Sequence, residues 1–248
     1  MEIFTALKTG CLNLIFPPVC GACGMRMHIG KKAGLCPDCA SKVRFLCEPL
    51  CPVCGMEQQG VAGSLGHLCG TCLSNPPSYE LARSLVRYET VVRQLIHRLK
   101  YGGNSFVAGA LGELISNCDL SLFAECRVII PVPLHLQRLR LRGLNQAMVL
   151  ARLLFPGREQ AIIPDGLFRI RNTVAQTELR GIDRRKNLKN SFQLNRSFDP
   201  DQLIVCLIDD VFTTGTTVEE CSMVLKGHGA KEVRVLTLAR ASRNSMLG

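Results

Sequence analysis

Residues Leu203–Thr217, LIVCLIDDVFTTGTT, constrain this chain more than any other stretch. They open on an apolar run, Leu203 to Ile208, rich in β-branched side chains. That is the pattern of a strand buried on both faces, as a parallel sheet requires. Asp209 and Asp210 follow, then Val211-Phe212, then a small polar turn, Thr213-Thr214-Gly215-Thr216-Thr217. From Val218 to His228 the spacing turns helical and sets Val218, Cys221, Val224, Leu225 and His228 on one face. The order is strand, acidic pair, hydroxyl-rich loop, helix start.

A helix start offers N–H groups without intrahelical partners and the positive end of the dipole, and Thr and Gly add donors without bulk. Such a loop suits a phosphate monoester. Carboxylates do not cradle phosphate. Asp209 and Asp210, at the carboxyl end of a strand where open α/β sheets bind ligands, call instead for vicinal sugar hydroxyls or a Mg²⁺ held indirectly. Loop and acidic pair together ask for a ribose 5-phosphate; the plain alternative is a strand end and a helix cap with no ligand. No GxxxxGK[ST] run occurs, which excludes a Walker-type loop.

Val205–Thr217 resembles the 5-phosphoribosyl 1-diphosphate (PRPP) signature of type I phosphoribosyltransferases, except that Phe212 stands where an aliphatic residue is more usual. The resemblance implies a PRPP site made of Asp209, Asp210, Val211, Thr213, Thr214, Gly215, Thr216 and Thr217. In it Asp209 and Asp210 are the catalytic pair holding the ribose hydroxyls, and Thr213 to Thr217 hold the 5-phosphate.

Eight of the 14 cysteines form CxxC pairs: Cys20/Cys23, Cys36/Cys39, Cys51/Cys54 and Cys69/Cys72. No secretory signal precedes them, so a disulfide framework is disfavoured. Two CxxC knuckles close a tetrahedral zinc site without an open position, so four knuckles imply two structural zinc ions. Few large apolar side chains lie among them, and metal must hold the segment together. Sequential pairing is simplest, interleaved pairing stays open, and redox-active CxxC is the alternative chemistry. His28 and His67 are expected at the surface rather than on the metal.

At 248 residues, 47% apolar and 5% aromatic, the chain has material for one good core and a smaller module. The start, MEIFTALKTGCLNLIF, lacks a basic leader, is interrupted by Lys8 and is too short to span a bilayer. It reads as a docking helix over 1–16, with Ile3, Leu7, Cys11 and Leu14 on one side. A cytoplasmic protein without a membrane span is expected. Net charge is +10, and residues 127–200 alone carry 14 Lys/Arg against 5 Asp/Glu. A patch of that kind implies an anionic partner, either small-molecule phosphates or a nucleic-acid backbone.

Ser74–Ser78 reads as a linker, Leu81–Tyr88 as an edge strand, and Thr90 as the cap of a helix burying Val91, Val92, Leu95, Ile96 and Leu99. His97 falls on that helix's polar side. Phe106, Ala110, Leu111, Leu114 and Ile115 mark the next helix, and Val128–Pro133 a second buried strand. Arg138, Arg140 and Arg142 alternate behind that strand, before a helix at about 144–155. They are either one face of a solvated extension or, better, a diphosphate clamp. Residues 167–173 suggest a further strand, and 233–239 the last. Between 174 and 194 a polar stretch carries Arg180, Arg184, Arg185 and Lys186, either a basic lid over the diphosphate or a solvated loop.

The four knuckles, PVPLH…RGLNQA, QTELRGIDRRKN and IDDVFTTGTT, in this order, resemble the ComF family over essentially the whole chain. The resemblance implies a double zinc ribbon (17–78) ahead of a type I phosphoribosyltransferase-like α/β domain (79–248), with a mainly parallel sheet flanked by helices. It also implies magnesium together with PRPP, a role in natural competence with internalised single-stranded DNA, and a helicase-like partner. Arg142, Asn145, Gln146, Gln176, Thr177, Arg185 and Asn187 match further family motifs. Two classes of function fit. One is an enzyme displacing diphosphate from PRPP by an acceptor nitrogen, as in nucleotide salvage. The other is a nucleic-acid-associated accessory protein that uses the PRPP site for sensing.

Overall fold

The computed structural model describes residues 18–28, 34–60, 66–102, 105–116, 118–171 and 188–242. The expected helix over 1–16 lies outside them, as do Gln176, Thr177, Arg180, Arg184, Arg185, Lys186 and Asn187 of the expected lid. Two compact units divide the chain: Met1–Arg44 with Glu89–Cys118, and Phe45–Tyr88 with Asp119–Gly248. The first two knuckles therefore belong to one unit and the last two to the other.

In the larger unit, β1 (Leu81–Arg87), β2 (Val128–Pro131), β5 (Ile204–Phe212) and β6 (Glu232–Arg240) form a sheet ordered β1-β6-β5-β2, every neighbouring pair parallel. The central strands are buried without alternation, at Val205–Ile208 and Val235–Ala239, as their apolar runs require. Edge strand β1 alternates, turning Ala82, Ser84 and Val86 inward. Its outer rim is covered: the Ala82 N–H donates to the Val53 carbonyl at 2.6 Å and the Leu46 N–H to the Leu85 carbonyl at 3.0 Å. An edge paired in this way offers no free ladder to another chain. Helix α6 (Gln146–Leu154) packs on β2 and β5, and α7 (Thr216–Gly227) packs on β6. This is the mainly parallel, helix-flanked sheet that the apolar runs predict.

Four expectations change. The strand carrying the acidic pair continues through it to Phe212, because β6 is long enough to extend the ladder: Val211 pairs with Ala239 and Phe212 with Arg240. The arginine run is not an extension but a short helix, α5 (Leu136–Arg142), opened by the His135 side chain and closed by left-handed Gly143. Of residues 167–173, the described part gives a strand at Leu167–Arg169 (β3) that lies outside the main sheet, paired antiparallel with β4 (Phe192–Leu194), which packs against α7. His228, expected on the inner face of the last helix, is its exposed C-cap.

The smaller unit holds α1 (Pro37–Ser41), α3 (Thr90–Gly102) and α4 (Ser105–Ile115); α2 (Gly70–Ser74) belongs to the larger one. Val91, Val92, Leu95, Ile96 and Leu99 of α3 are buried, as are Ala110, Leu111, Leu114 and Ile115 of α4. Glu113 of α4 accepts the Leu35 N–H at 2.9 Å, fastening the chain just ahead of Cys36 to the helix pair. His97 points outward, its ring 4.8 Å from that of Tyr101.

Between β1 and β6, the Ser84 and Thr237 hydroxyls meet at 2.6 Å in the interior. Thr237→Val should cost about 1–3 kcal/mol by stranding the Ser84 hydroxyl, and adding Ser84→Ala should return part of it. Urea unfolding followed by circular dichroism measures both.

Candidate functional site

The metal centres form from local rules. In each, a CxxC turn precedes a second CxxC whose last three residues lie in a short helix. Cys36 and Cys69 are the N-caps, their sulfurs accepting the N–H groups of Cys39 and Cys72. Cys20 Sγ accepts the Cys36 N–H at 3.3 Å, and Cys51 Sγ accepts the Cys69 N–H at 3.4 Å. Ligand atoms of Cys20, Cys23, Cys36 and Cys39 lie within 4.8 Å of one another, and so do those of Cys51, Cys54, Cys69 and Cys72. The pairing is therefore sequential.

Zinc with four sulfurs at about 2.3 Å holds them roughly 3.8 Å apart. The sulfurs of Cys23 and Cys36 are 3.8 Å apart, and those of Cys54 and Cys69 are 3.6 Å apart. Both sites fit tetrahedral zinc with no open position. Burial opposes ionisation of Cys20, yet the N–H groups of Cys36, Cys23 and Ala22 bring its thiol down to about 6. Cys51 is brought down to about 7 in the same way, against burial, by the N–H groups of Cys54, Cys69 and Val53. Burial and neighbouring thiols push Cys39 and Cys72 up. One thiolate per site is thus ready for a cation, which then drives off the remaining protons. His28 and His67 are exposed and take no part.

At the other end of the larger unit's logic stands the loop after β5. Extended backbone sends Asp209 and Asp210 to opposite faces of the strand, and both are half-buried at its carboxyl end. Asp209 Oδ1 accepts the Asp210 N–H at 2.8 Å. Thr213 and Thr217 are half-buried and Thr214 is exposed, its hydroxyl 2.8 Å from that of buried Thr216. Gly215, at φ 77°, is the N-cap of α7 and has no side chain to cap the first turn. A Cβ on Gly215 would stand 2.7 Å from the Phe212 ring, so the backbone rests directly on that ring.

The three arginines of α5 separate by helical phase. Arg138 and Arg142, one turn apart, both repel the charge of Arg169 on β3, whereas Arg140 is exposed on another side. Sequence reasoning missed Arg169. It is 8% exposed, lies over the Phe192 ring at 5.5 Å, and is pushed down to about 10 by burial, with Arg138 and Arg142 adding to the effect. Cys221 and Asp209 pull the other way, so Arg169 stands within electrostatic reach of Asp209. No sequence signal marked this arginine: the strand buries Arg169 and exposes Phe168, the reverse of what their side chains suggest.

The RGLNQ motif is explained by the turn it builds. Gly143 ends α5, and Asn145 opens α6 by accepting the Ala147 N–H at 3.0 Å. The Asn145 amide also donates to the Val132 carbonyl at 3.1 Å, tying α6 to the exit of β2. Buried Gln146 accepts from Arg142 at 3.1 Å and so holds that guanidinium. These contacts fix Arg142, which acts on Arg169.

Zinc analysis of the purified chain should return two ions per chain. It should return one in Cys51→Ala/Cys54→Ala and one in Cys20→Ala/Cys23→Ala. Gly215→Ala should destabilise the protein by about 1–3 kcal/mol, since alanine resists this backbone angle and meets Phe212. Thermal and urea unfolding measure that loss.

Residues 11–73 match the double zinc ribbon domain family, and residues 142–246 the phosphoribosyl transferase domain family. Competence protein F of Haemophilus influenzae is 34% identical over 228 residues, 90% of this chain and 96% of that protein. DNA utilization protein YhgH of Salmonella typhi is 33% identical over 92% of this chain and 99% of its own length. Competence protein ComFC of Bacillus subtilis is 25% identical over 84% of each. Likeness of this order, sustained from the first knuckle to the last strand, makes the chain a member of the ComF family, in which a double zinc ribbon precedes a type I phosphoribosyltransferase-like domain.

Proposed function

We propose that this chain binds PRPP with Mg²⁺ at the β5–α7 loop and serves the uptake or utilization of DNA. The observation that carries the reading is the charge arrangement. An acidic pair lies near the end of the central strand, ahead of a hydroxyl-rich helix start, and Arg169, on which Arg138 and Arg142 also act, stands within electrostatic reach of Asp209. Each part suits one portion of PRPP. Thr213–Thr217 and the first N–H groups of α7 would take the 5-phosphate. Asp209 and Asp210 would take the ribose hydroxyls, and the arginines the diphosphate. Mg²⁺, a hard cation that favours carboxylate and phosphate oxygens, would be held with the ligand near Asp209 and Asp210 and would neutralise the diphosphate.

In the catalytic form of this reading, an acceptor nitrogen displaces diphosphate from C1 of the ribose. The arginines stabilise the leaving group, and the aspartates orient the ring as positive charge grows on it. Arg180, Arg184, Arg185 and Lys186 would close over the diphosphate. Arg140, turned away from the cluster, is left out of this role.

The names of the relatives, competence protein and DNA utilization protein, favour a second reading in which the ligand signals rather than turns over. The basic excess between 127 and 200 would then also meet a single-stranded nucleic-acid backbone. Such a protein would act in the cytoplasm on internalised DNA beside a helicase-like partner. No helix among the described residues is long and apolar enough to cross a membrane.

Calorimetric titration with PRPP and Mg²⁺ tests the shared premise. Binding should fall at least tenfold in Asp209→Asn/Asp210→Asn and in Arg169→Gln, each of which removes charge-assisted hydrogen bonds. Equal affinity in all three proteins would sink the reading. Diphosphate released on adding candidate nitrogen acceptors selects the enzyme. Single-stranded DNA binding that weakens steeply with salt, and with neutralised Arg184 and Arg185, selects the accessory protein.

A further inference from the structure

The second metal site and the candidate phosphate loop are joined by one short chain of contacts, all within the larger unit. Cys54 is its first link: its carbonyl accepts from Arg240 Nη1 at 2.7 Å, and its sulfur lies 3.7 Å from Arg240 Nη2. The same guanidinium sits over the Phe212 ring, 4.4 Å from the centroid, close enough for a cation–π contact. Phe212 in turn lies beneath Gly215, at the turn of the loop. Tyr79 closes on the ring edge-on, with centroids 6.3 Å apart at 87°. Cys51, Cys54, Cys69, Cys72, Tyr79, Phe212 and Val218 all belong to one buried cluster.

A second strap runs in parallel. Ser78, just beyond the last knuckle, gives its N–H and its hydroxyl to Glu219 in the first turn of α7, at 3.0 and 2.7 Å. Both ends of the Thr213–Thr217 turn, the strand side through Phe212 and the helix side through Glu219, are therefore fastened to the polypeptide around this metal site. An aliphatic residue at 212, the more usual choice in PRPP signatures, has no ring face for Arg240.

We propose that the Cys51/Cys54/Cys69/Cys72 metal site sets the geometry of the phosphate loop through Arg240 and Phe212, so that metal at this site and PRPP at the loop strengthen each other's binding. Phe212 and Arg240 are positioning residues, and neither need touch the ligand. The proposal rests on reading the loop as a PRPP site.

Coupling between two sites is reciprocal, which supplies a readout that mere structural support would not move. Zinc release from the intact full-length protein to 4-(2-pyridylazo)resorcinol, in excess Mg²⁺, should show two ions leaving. Saturating PRPP should slow one of them about tenfold and leave the other unchanged. Arg240→Gln and Phe212→Leu should each keep two zinc ions per chain, bind PRPP about five- to tenfold more weakly by calorimetry, and lose the protection. If either variant folds poorly, the other carries the test. Calorimetry showing tight PRPP binding to the wild type, with zinc release indifferent to it, overturns the coupling and leaves the PRPP reading intact. Wild-type protein that binds no PRPP overturns both.

Discussion

The parallel ladder between β5 and β6 does not stop where the apolar residues stop; it carries the acidic pair inside a strand and ends only at Phe212 and Arg240. Most of what is chemically interesting here follows from those last rungs. A carboxylate on a loop tip moves with the loop, whereas Asp209 is held by pairing with Thr237 on a strand buried on both faces. Strand geometry also divides the pair, sending neighbouring side chains to opposite faces. The two acids therefore meet different surroundings: Asp209 shares its side with Cys221 and Arg169. Two like charges in sequence are thereby kept from crowding one space.

Charge gathers around Arg169 of β3 from elements that share no sequence neighbourhood: Asp209 of β5 acts on it from one strand, Arg138 and Arg142 from α5. Arginines that repel one another and are partly buried cost stability when they stand alone. The cost is lowered by fixing each group in advance. Arg142 is held by Gln146, and Arg169 lies against Phe192. Preorganised cations lose little freedom when a ligand arrives.

How much of this could be read from the chain depended on whether a feature is local. The sulfur pairs, the buried strands and the helix pair of the smaller unit are written in spacings of two to four residues, and each was legible. The order of strand, threonine turn and helix start was legible for the same reason, and so was the inward set Val91, Val92, Leu95, Ile96 and Leu99. What escaped was set by partners far along the chain. Arginine at 169 looks like any surface cation until β4 and α7 fold against its strand. The run Arg138-Leu139-Arg140-Leu141-Arg142 alternates as a strand would, and only His135 and Gly143 at its ends decide for a helix. Once it is helical, Arg140 parts company with the other two. Asn145 read as a motif residue without a task because its partner, the Val132 carbonyl, lies 13 residues away.

The two metal centres share a local plan and differ in what they are built into. Cys23 of the first is exposed, while all four sulfurs of the second are buried. The second continues the cluster that contains Tyr79, Val205, Leu207 and Phe212, and its knuckle pairs with the rim of β1. Structural zinc contributes about 10–16 kcal/mol in isolated knuckle peptides, against a whole-domain stability of about 5–15 kcal/mol. Losing the ion from the second centre therefore threatens the edge of the sheet that carries the acidic strand. The loss of the first bears on the helix pair of the smaller unit, through Leu35 and Glu113. A family that strings two similar ribbons together has, in this chain, two different dependences on the same metal.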